Sequence, residues 1–315
     1  MELLIYTDRS GLDVGYLDGF ILDLENGRDD DFELKISLIR FDTLSAGCLI
    51  YCESKPQFGG RIESFRPNTA SKTVTFEGST WRGILRKKIL QNNVSVTPGS
   101  TLSQVVQSVI EMAELTELFT PADNLSTVGT VPTTGQYMTP LAALESILGA
   151  VGCRPSFSFD PTIKRIRIGS EAVKDYSGQE YDSGNINMEL SVNKMPVNHI
   201  IAVSKSGTAH HLYLQHDGTY AVTQEIKGVA EITKLINVSS DDSEKIMQEM
   251  IKAMDAEKKA SATSALSVSE IAAEIGDIVG SYEQHSKTLV AAKVTSKVLK
   301  MTDKTFQINF ETGEI

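Results

Sequence analysis

From Asp31 the chain reads D-F-E-L-K-I-S, so that Phe32, Leu34 and Ile36 alternate with Glu33, Lys35 and Ser37. Successive side chains of a strand point to opposite faces, and only that geometry gives this stretch one apolar and one wetted face. Short runs of the same kind fill the first ninety or so residues: "ELLIYT", "GYLDGFILDL", "GCLIYCES", "GRIESFRP" and "SKTVTFEGSTW". They are separated by the turn signals "DRSG", "ENGRDD", "FGG" and "RPNTAS", which predict strand ends. Strands so short and closely spaced predict an antiparallel barrel or sandwich. The paired Gly59 and Gly60 suit a tight turn or bulge.

The pattern then changes. "TLSQVVQSVIEMAELTELF" puts Leu102, Val105, Val106, Val109, Met112 and Ala113 on one helical face, with Thr101 and Gln104 at capping-box spacing. "TPLAALESILGAVG" predicts a second helix, with Thr139 as N-cap, Pro140 in the first turn and Gly152 beyond the end. The hairpin "RPSFSFDPTIKRIRIGS" follows, and residues 95–180 read as a small α+β insertion. "DYSGQEYDSGN" (175–185) reads as a linker, after which strands resume with "INMELSV", "NHIIAVSK" and "HHLYLQHDGTYAVTQEI". A long amphipathic helix is expected at about 240–260, its stripe formed by Ile246, Met247, Met250, Ile251 and Met254. "GDIVGSYEQ", "LVAAKVTSKVLKMT" and "KTFQINFETG" return to strand.

A chain of 315 residues exceeds one ordinary domain. No run of eighteen apolar residues occurs, so no transmembrane helix is expected. The N-terminus, "MELLIYTDRS", lacks the basic start of a signal peptide. A net charge of -11 argues against general affinity for nucleic-acid phosphate. Cys48 and Cys52 on one strand would stand about 13 Å apart, beyond the roughly 7 Å that a disulfide spans. Cys153 is alone, and reduced thiols are the expectation.

The acidic run Asp29, Asp30, Asp31 with Glu33 could hold a metal or supply an acid, but no D-x-D-x-D-G spacing or H-x-x-E pair accompanies it. It reads as a wet turn at the approach to a strand. In "HHLYLQH", His211 and His216 fall on opposite strand faces, while His210 and His216 are about 20 Å apart, so no single-strand metal site forms. "HDGT" reads as a turn. No G-x-S-x-G, H-E-x-x-H or P-loop occurs, and no catalytic residue, cofactor or metal is assigned. Trp81 reads as a core anchor at a strand end.

Phe32 within "DDDFELKI", Gly59 and Gly60 in "GGRI", Trp81 and Gly83 in "STWRGIL", and Gly276–Asp277 before a long closing hairpin together form a pattern. It resembles phage tail hub proteins: baseplate hubs of contractile tails and the structural N-terminal part of tail-associated lysins. The resemblance covers nearly the whole chain. It implies a mainly β fold with α+β insertions and two tube-like antiparallel β-barrel domains. Residues 1–94 would form the first barrel, completed by a returning strand near 185–203. Residues 95–180 would be the decorating insertion and 181–315 the second barrel. The resemblance also implies a non-enzymatic homotrimer at the tail tip or baseplate, assembled in the host bacterial cytoplasm, in a phage or a tail-like bacteriocin. Expected partners are a tail tube or distal tail protein, the tape-measure protein, and a central spike, fibre or lysin, with DNA only in transit and no membrane insertion. Three copies of a chain at -11 carry -33, and Asp29, Asp30, Asp31 and Glu33 are the candidate acidic lumen or rim. The chain stops at "FETGEI", after the last expected strand, so no hydrolase domain is expected within it. The alternatives are a peptidoglycan-degrading enzyme with its site in 95–180, and a distal-tail or receptor-binding adaptor.

Overall fold

The computed structural model describes residues 2–95, 100–122, 134–176, 187–192, 197–259, 262–267, 273–283 and 288–313. The chain divides into two compact units. One comprises Met1–Gly178, Ser267–Val279 and Val294–Glu311; the other comprises Gln179–Leu266, Gly280–Lys293 and Thr312–Ile315.

In the first unit the alternating runs form β1 (Leu4–Thr7), β2 (Asp13–Leu17), β3 (Ile21–Asn26), β4 (Asp31–Ser37), β5 (Leu49–Cys52), β6 (Gly59–Asn68) and β7 (Thr73–Thr80). Burial alternates strictly along β4, with Phe32, Leu34 and Ile36 inside. Those residues join Leu4, Leu22, Leu24, Ile50, Ile62, Val74 and Phe76 in one core. The sheet therefore curls around a single apolar centre. Helix α1 (Trp81–Arg86) follows β7, its first turn capped by Thr80, whose hydroxyl accepts from Gly83 N.

The insertion contains α2 (Leu102–Met112), β8 (Phe119–Pro121), α3 (Pro140–Gly149), β9 (Cys153–Asp160) and β10 (Arg165–Ala172), with the short β11 (Asp175–Tyr176) after it. Both predicted caps form: Thr101 Oγ1 accepts from Gln104 N at 3.2 Å while Gln104 Oε1 accepts from Thr101 N at 2.8 Å, and Thr139 Oγ1 accepts from Ala142 N at 3.1 Å. The three strands run in the order β8-β10-β9. Their apolar face, with Phe119, Phe157, Phe159, Ile166 and Ile168, packs with α2 and α3. The same core takes in Leu49, Tyr51, Trp81 and Leu85, so the insertion and the first sheet share one core and one compact unit.

The second unit holds β12 (Asn187–Val192), β13 (His199–Val203), β14 (Ala209–Leu214), β15 (Tyr220–Ala221), β16 (Thr233–Asn237), α4 (Ser243–Lys259) and β17 (Ala262–Ser267). A four-stranded sheet runs β15-β14-β13-β16, with β13 and β16 parallel, and β12 pairs with β17 in a separate ribbon. The expected helical stripe is real: Ile246, Met250 and Met254 are buried against Ile200, Ala202 and Leu212.

The chain then runs through β18 (Ile278–Glu283), β19 (Thr288–Thr302) and β20 (Phe306–Gly313). Here the structure departs from the expected organisation. Lys297–Thr302 pairs antiparallel with β3, and Leu299 and Met301 enter the first core. The first sheet is thus extended by the C-terminal strands, whereas His199–Val203, in the stretch expected to complete it, lies in the four-stranded sheet. Alternation defines which face of a strand is buried but does not name its partner. The sheet's path is β11-β18-β19-β3-β4-β7-β6-β5-β1-β2, with β20 beside β19. Its ends do not pair among the described residues, so the closed tube expected for this region is here an open, curled sheet. The second region is likewise a sheet with a helix packed on it.

Candidate functional site

The acidic run does not behave as one solvated patch. Asp29 and Asp31 are exposed, but Asp30 is buried, with no side-chain surface exposed. Its backbone takes the left-handed conformation, φ +56°, which Asp tolerates better than most residues. That turn aims the carboxylate inward. Oδ1 accepts from Gly27 N at 2.6 Å and from Arg82 Nε at 3.1 Å, and Arg82 Nη2 continues to Glu145 Oε1 on α3 at 2.6 Å. Arg86 Nη2 stands 3.1 Å from Oδ2 without the alignment of a hydrogen bond. The Asp30 carbonyl accepts from Thr80 N at 3.0 Å and Thr80 Oγ1 at 3.2 Å. One residue thus joins the β3–β4 turn to α1, and through Arg82 to the insertion. For Asp30 the expected place on a wet rim is corrected: four converging donors outweigh exposure.

The other signature residues meet at the same junction. Phe32 and Trp81 are buried, and the Trp81 indole donates to Pro56 O at 3.1 Å. A Cβ on Gly59 would lie 2.5 Å from Ile50 O, and one on Gly60 would lie 2.6 Å from Phe32 Cε1. A Cβ on Gly83 would collide with the Asp30 carbonyl. The glycines are therefore needed because strands β5, β6 and β7 pass close to two large rings.

Gly276 and Asp277 build a comparable junction at the chain's return. Gly276 has φ +98°. Asp277 is fully buried; its Oδ1 accepts from Lys174 N at 2.8 Å and pairs with Arg154, while Oδ2 accepts from Glu274 N at 2.9 Å. Neither buried aspartate is part of a metal set, since no group of three or more potential ligands converges among the described residues.

Glu33 lies on the solvent face of the first sheet, in register with Asp23 on β3 and Glu77 on β7. Like charges directly opposite repel, and cations offset most of them. Lys300 Nζ is 3.5 Å from Asp23, Arg66 is 2.9 Å from Glu77, Arg28 is 3.3 Å from Glu25, and Lys87 pairs with Glu63. Among the described residues Asp31 and Glu33 form no ion pair. Partial burial, and next the charge of Asp29, push the Asp31 carboxyl above its usual range.

Sequence reasoning missed one polar chain in the second unit. His199, buried on β13, lies with Nδ1 2.7 Å from Glu231 Oε1 and Nε2 2.9 Å from His211 Nδ1. His211 belongs to the "HHLYLQH" stretch, but it meets His199 diagonally across β13–β14, since His211 is in register with Ile201 and His199 with Tyr213. His199 carries no motif around it. The "HDGT" turn does form, with Thr219 N donating to Asp217 Oδ1 at 2.9 Å.

The chain, with its mainly β unit, α+β insertion and smaller sheet-and-helix unit, is similar in fold to solved tail proteins. Two solved structures carry the comparison. The tail protein from Neisseria meningitidis MC58 is 14% identical, with a TM-score of 0.53, and the match covers 100% of this chain and 96% of that one. The 43 kDa tail protein of prophage MuSo2 from Shewanella oneidensis is 11% identical, with a TM-score of 0.56 and coverage of 99% and 97%. At such identity the likeness is one of fold. No protein-family model matches the sequence, and no curated protein matches it.

Proposed function

We propose that the chain is a structural, non-enzymatic subunit of the tail of a phage or tail-like particle, forming a homotrimeric ring at the distal end. The ring joins the sixfold tail tube to a threefold tip and leaves a passage for DNA. Its neighbours are a tube or distal tail protein, the tape-measure protein above, and a spike, fibre or lysin below. The observation that carries this reading is the end-to-end match of fold to two tail proteins, which takes in both units and the insertion. The buried aspartate junctions accord with it, because Asp30 and Asp277 each hold separate elements together.

The carboxylate row Asp23–Glu33–Glu77 is the surface proposed to face the passage. With a screening length of about 8–10 Å at cellular salt, only groups lining the bore act on DNA at its axis. Asp29, Asp31 and Glu33 remain in this role and Asp30 does not.

The test is the mass and symmetry of the purified assembly. Mass photometry at three chains and threefold electron-microscopy class averages with a central hole are expected. A stable monomer, or a hexamer like a distal tail adaptor, would refute the hub.

A further inference from the structure

Lys297 and Asn26 stand directly opposite one another where β19 pairs with β3. The next two rows on the same face are Leu299 with Leu24 and Met301 with Leu22, all four buried in the first core. The inner face of this strand pair therefore carries an amine and an amide where apolar side chains are the rule. Both residues are buried, and the Lys297 side chain is only 5% exposed. Lysine is almost never placed so deeply without a specific reason.

The surroundings suit a reaction between the two. Side chains directly opposite on antiparallel strands have Cβ atoms about 4.5–5.5 Å apart, well within the reach of a lysine. Lys297 Nζ lies 5.2 Å and 5.3 Å from the centres of the Phe58 and Phe310 rings, and it donates to Glu274 Oε1 at 2.7 Å. Burial pushes the Lys297 amine below its usual range, against the opposing pull of the Glu274 carboxylate. A desolvated amine gives up its proton more readily and so becomes a nucleophile. Among the described residues none hydrogen-bonds the Asn26 side-chain amide. The rival nucleophile for that amide is the next backbone nitrogen, and Gly27 N is engaged with Asp30 Oδ1 at 2.6 Å. Asn26, Lys297 and Glu274 all border one open cleft of about 410 Å³ in the first unit, which gives a leaving group a way out.

We infer that Lys297 and Asn26 join in an intramolecular isopeptide bond, with Glu274 moving the protons. Glu274 takes a proton from the Lys297 ammonium, and the freed amine attacks Asn26 Cγ. Glu274 then returns a proton to the amide nitrogen, the old C–N bond breaks, and ammonia leaves through the cleft. One C–N bond forms and one breaks, with no oxidation or reduction. The product ties β19 covalently to β3, so the C-terminal strand cannot peel from the first sheet. Nothing in this depends on the trimeric ring, because every residue invoked belongs to one unit of one chain.

The test is the intact mass of the purified full-length chain, measured after denaturation and reduction. A mass lower than the sequence requires by one ammonia, about 17 Da, is expected. Tryptic digestion is expected to give a branched peptide that joins the segments containing Asn26 and Lys297. Lys297→Met and Asn26→Ala are expected at their full sequence masses, with circular dichroism verifying the fold, and Glu274→Gln leaves most chains unlinked. The inference is overturned if the folded parent keeps its full mass on prolonged incubation, or if the digest yields Asn26 and Lys297 only in separate peptides. A deficit that persists in Lys297→Met also overturns it, since that is the mark of ring closure by Asn26 onto Gly27 N. Conversion of Glu274→Gln as complete as the parent's refutes the role given to Glu274.

Discussion

Replacing Asp30 by Asn tests whether the acidic run is architecture or surface charge. Asn has the same shape, tolerates the same left-handed backbone, and keeps an acceptor for Gly27 N. What is lost is the negative charge between Arg82 and Arg86. Removing one partner of a buried ion pair costs about 3–5 kcal/mol, because the other charge stays buried and uncompensated. The Arg82 side chain is 10% exposed and still has Glu145, and Arg86 is 40% exposed, so the lower end applies, about 3 kcal/mol. For a unit of this size that is a fall in melting midpoint of about 6–12 °C. Urea unfolding followed through Trp81 reads the first unit specifically, and Asp29→Asn is the surface control, expected within about 0.5 kcal/mol of the parent. If Asp30→Asn unfolds together with that control, the buried junction is not what holds the β3–β4 turn to α1, and the reasoning fails.

Two further outcomes follow from the packing. Gly59→Ala places a methyl 2.5 Å from Ile50 O and 2.8 Å from Trp81 Cε2, so a loss of about 1–3 kcal/mol or more is expected, visible as a lower urea midpoint with a shifted Trp81 spectrum; an unchanged midpoint would contradict the close approach. In thiol labelling at pH 8, Cys153 reacts in the native protein, while Cys48 and Cys52 wait for unfolding. Both are buried, and burial pushes the Cys52 thiol up to about 12, leaving almost no thiolate, the reactive form. More than one fast thiol per native chain would contradict this.

Much of the local structure was legible because its signals are local. Thr101 with Gln104, and Thr139 with Pro140, mark helix starts through bonds that reach only three residues. The turn at "HDGT" and the apolar stripe of α4 are equally self-contained. The buried half of the acidic run was not legible, since three adjacent aspartates carry the same chemistry and only one meets a guanidinium from a residue 52 positions away. His199 escaped notice for the same reason: its two partners come from positions 211 and 231, and neither spacing is a motif.

The amino-acid order alone determined that this chain is mainly β with a helical interruption, which residues of each strand turn inward, and where the main helices begin. Period and capping chemistry decide those matters over a few residues at a time. Only the tertiary structure decided that β19 joins the first sheet beside β3, that the insertion shares the first core, and that Asp30 and Asp277 are buried anchors. Strand alternation is satisfied by any partner with a matching apolar face, and a carboxylate is driven inside only when cations and amides from distant segments converge on it.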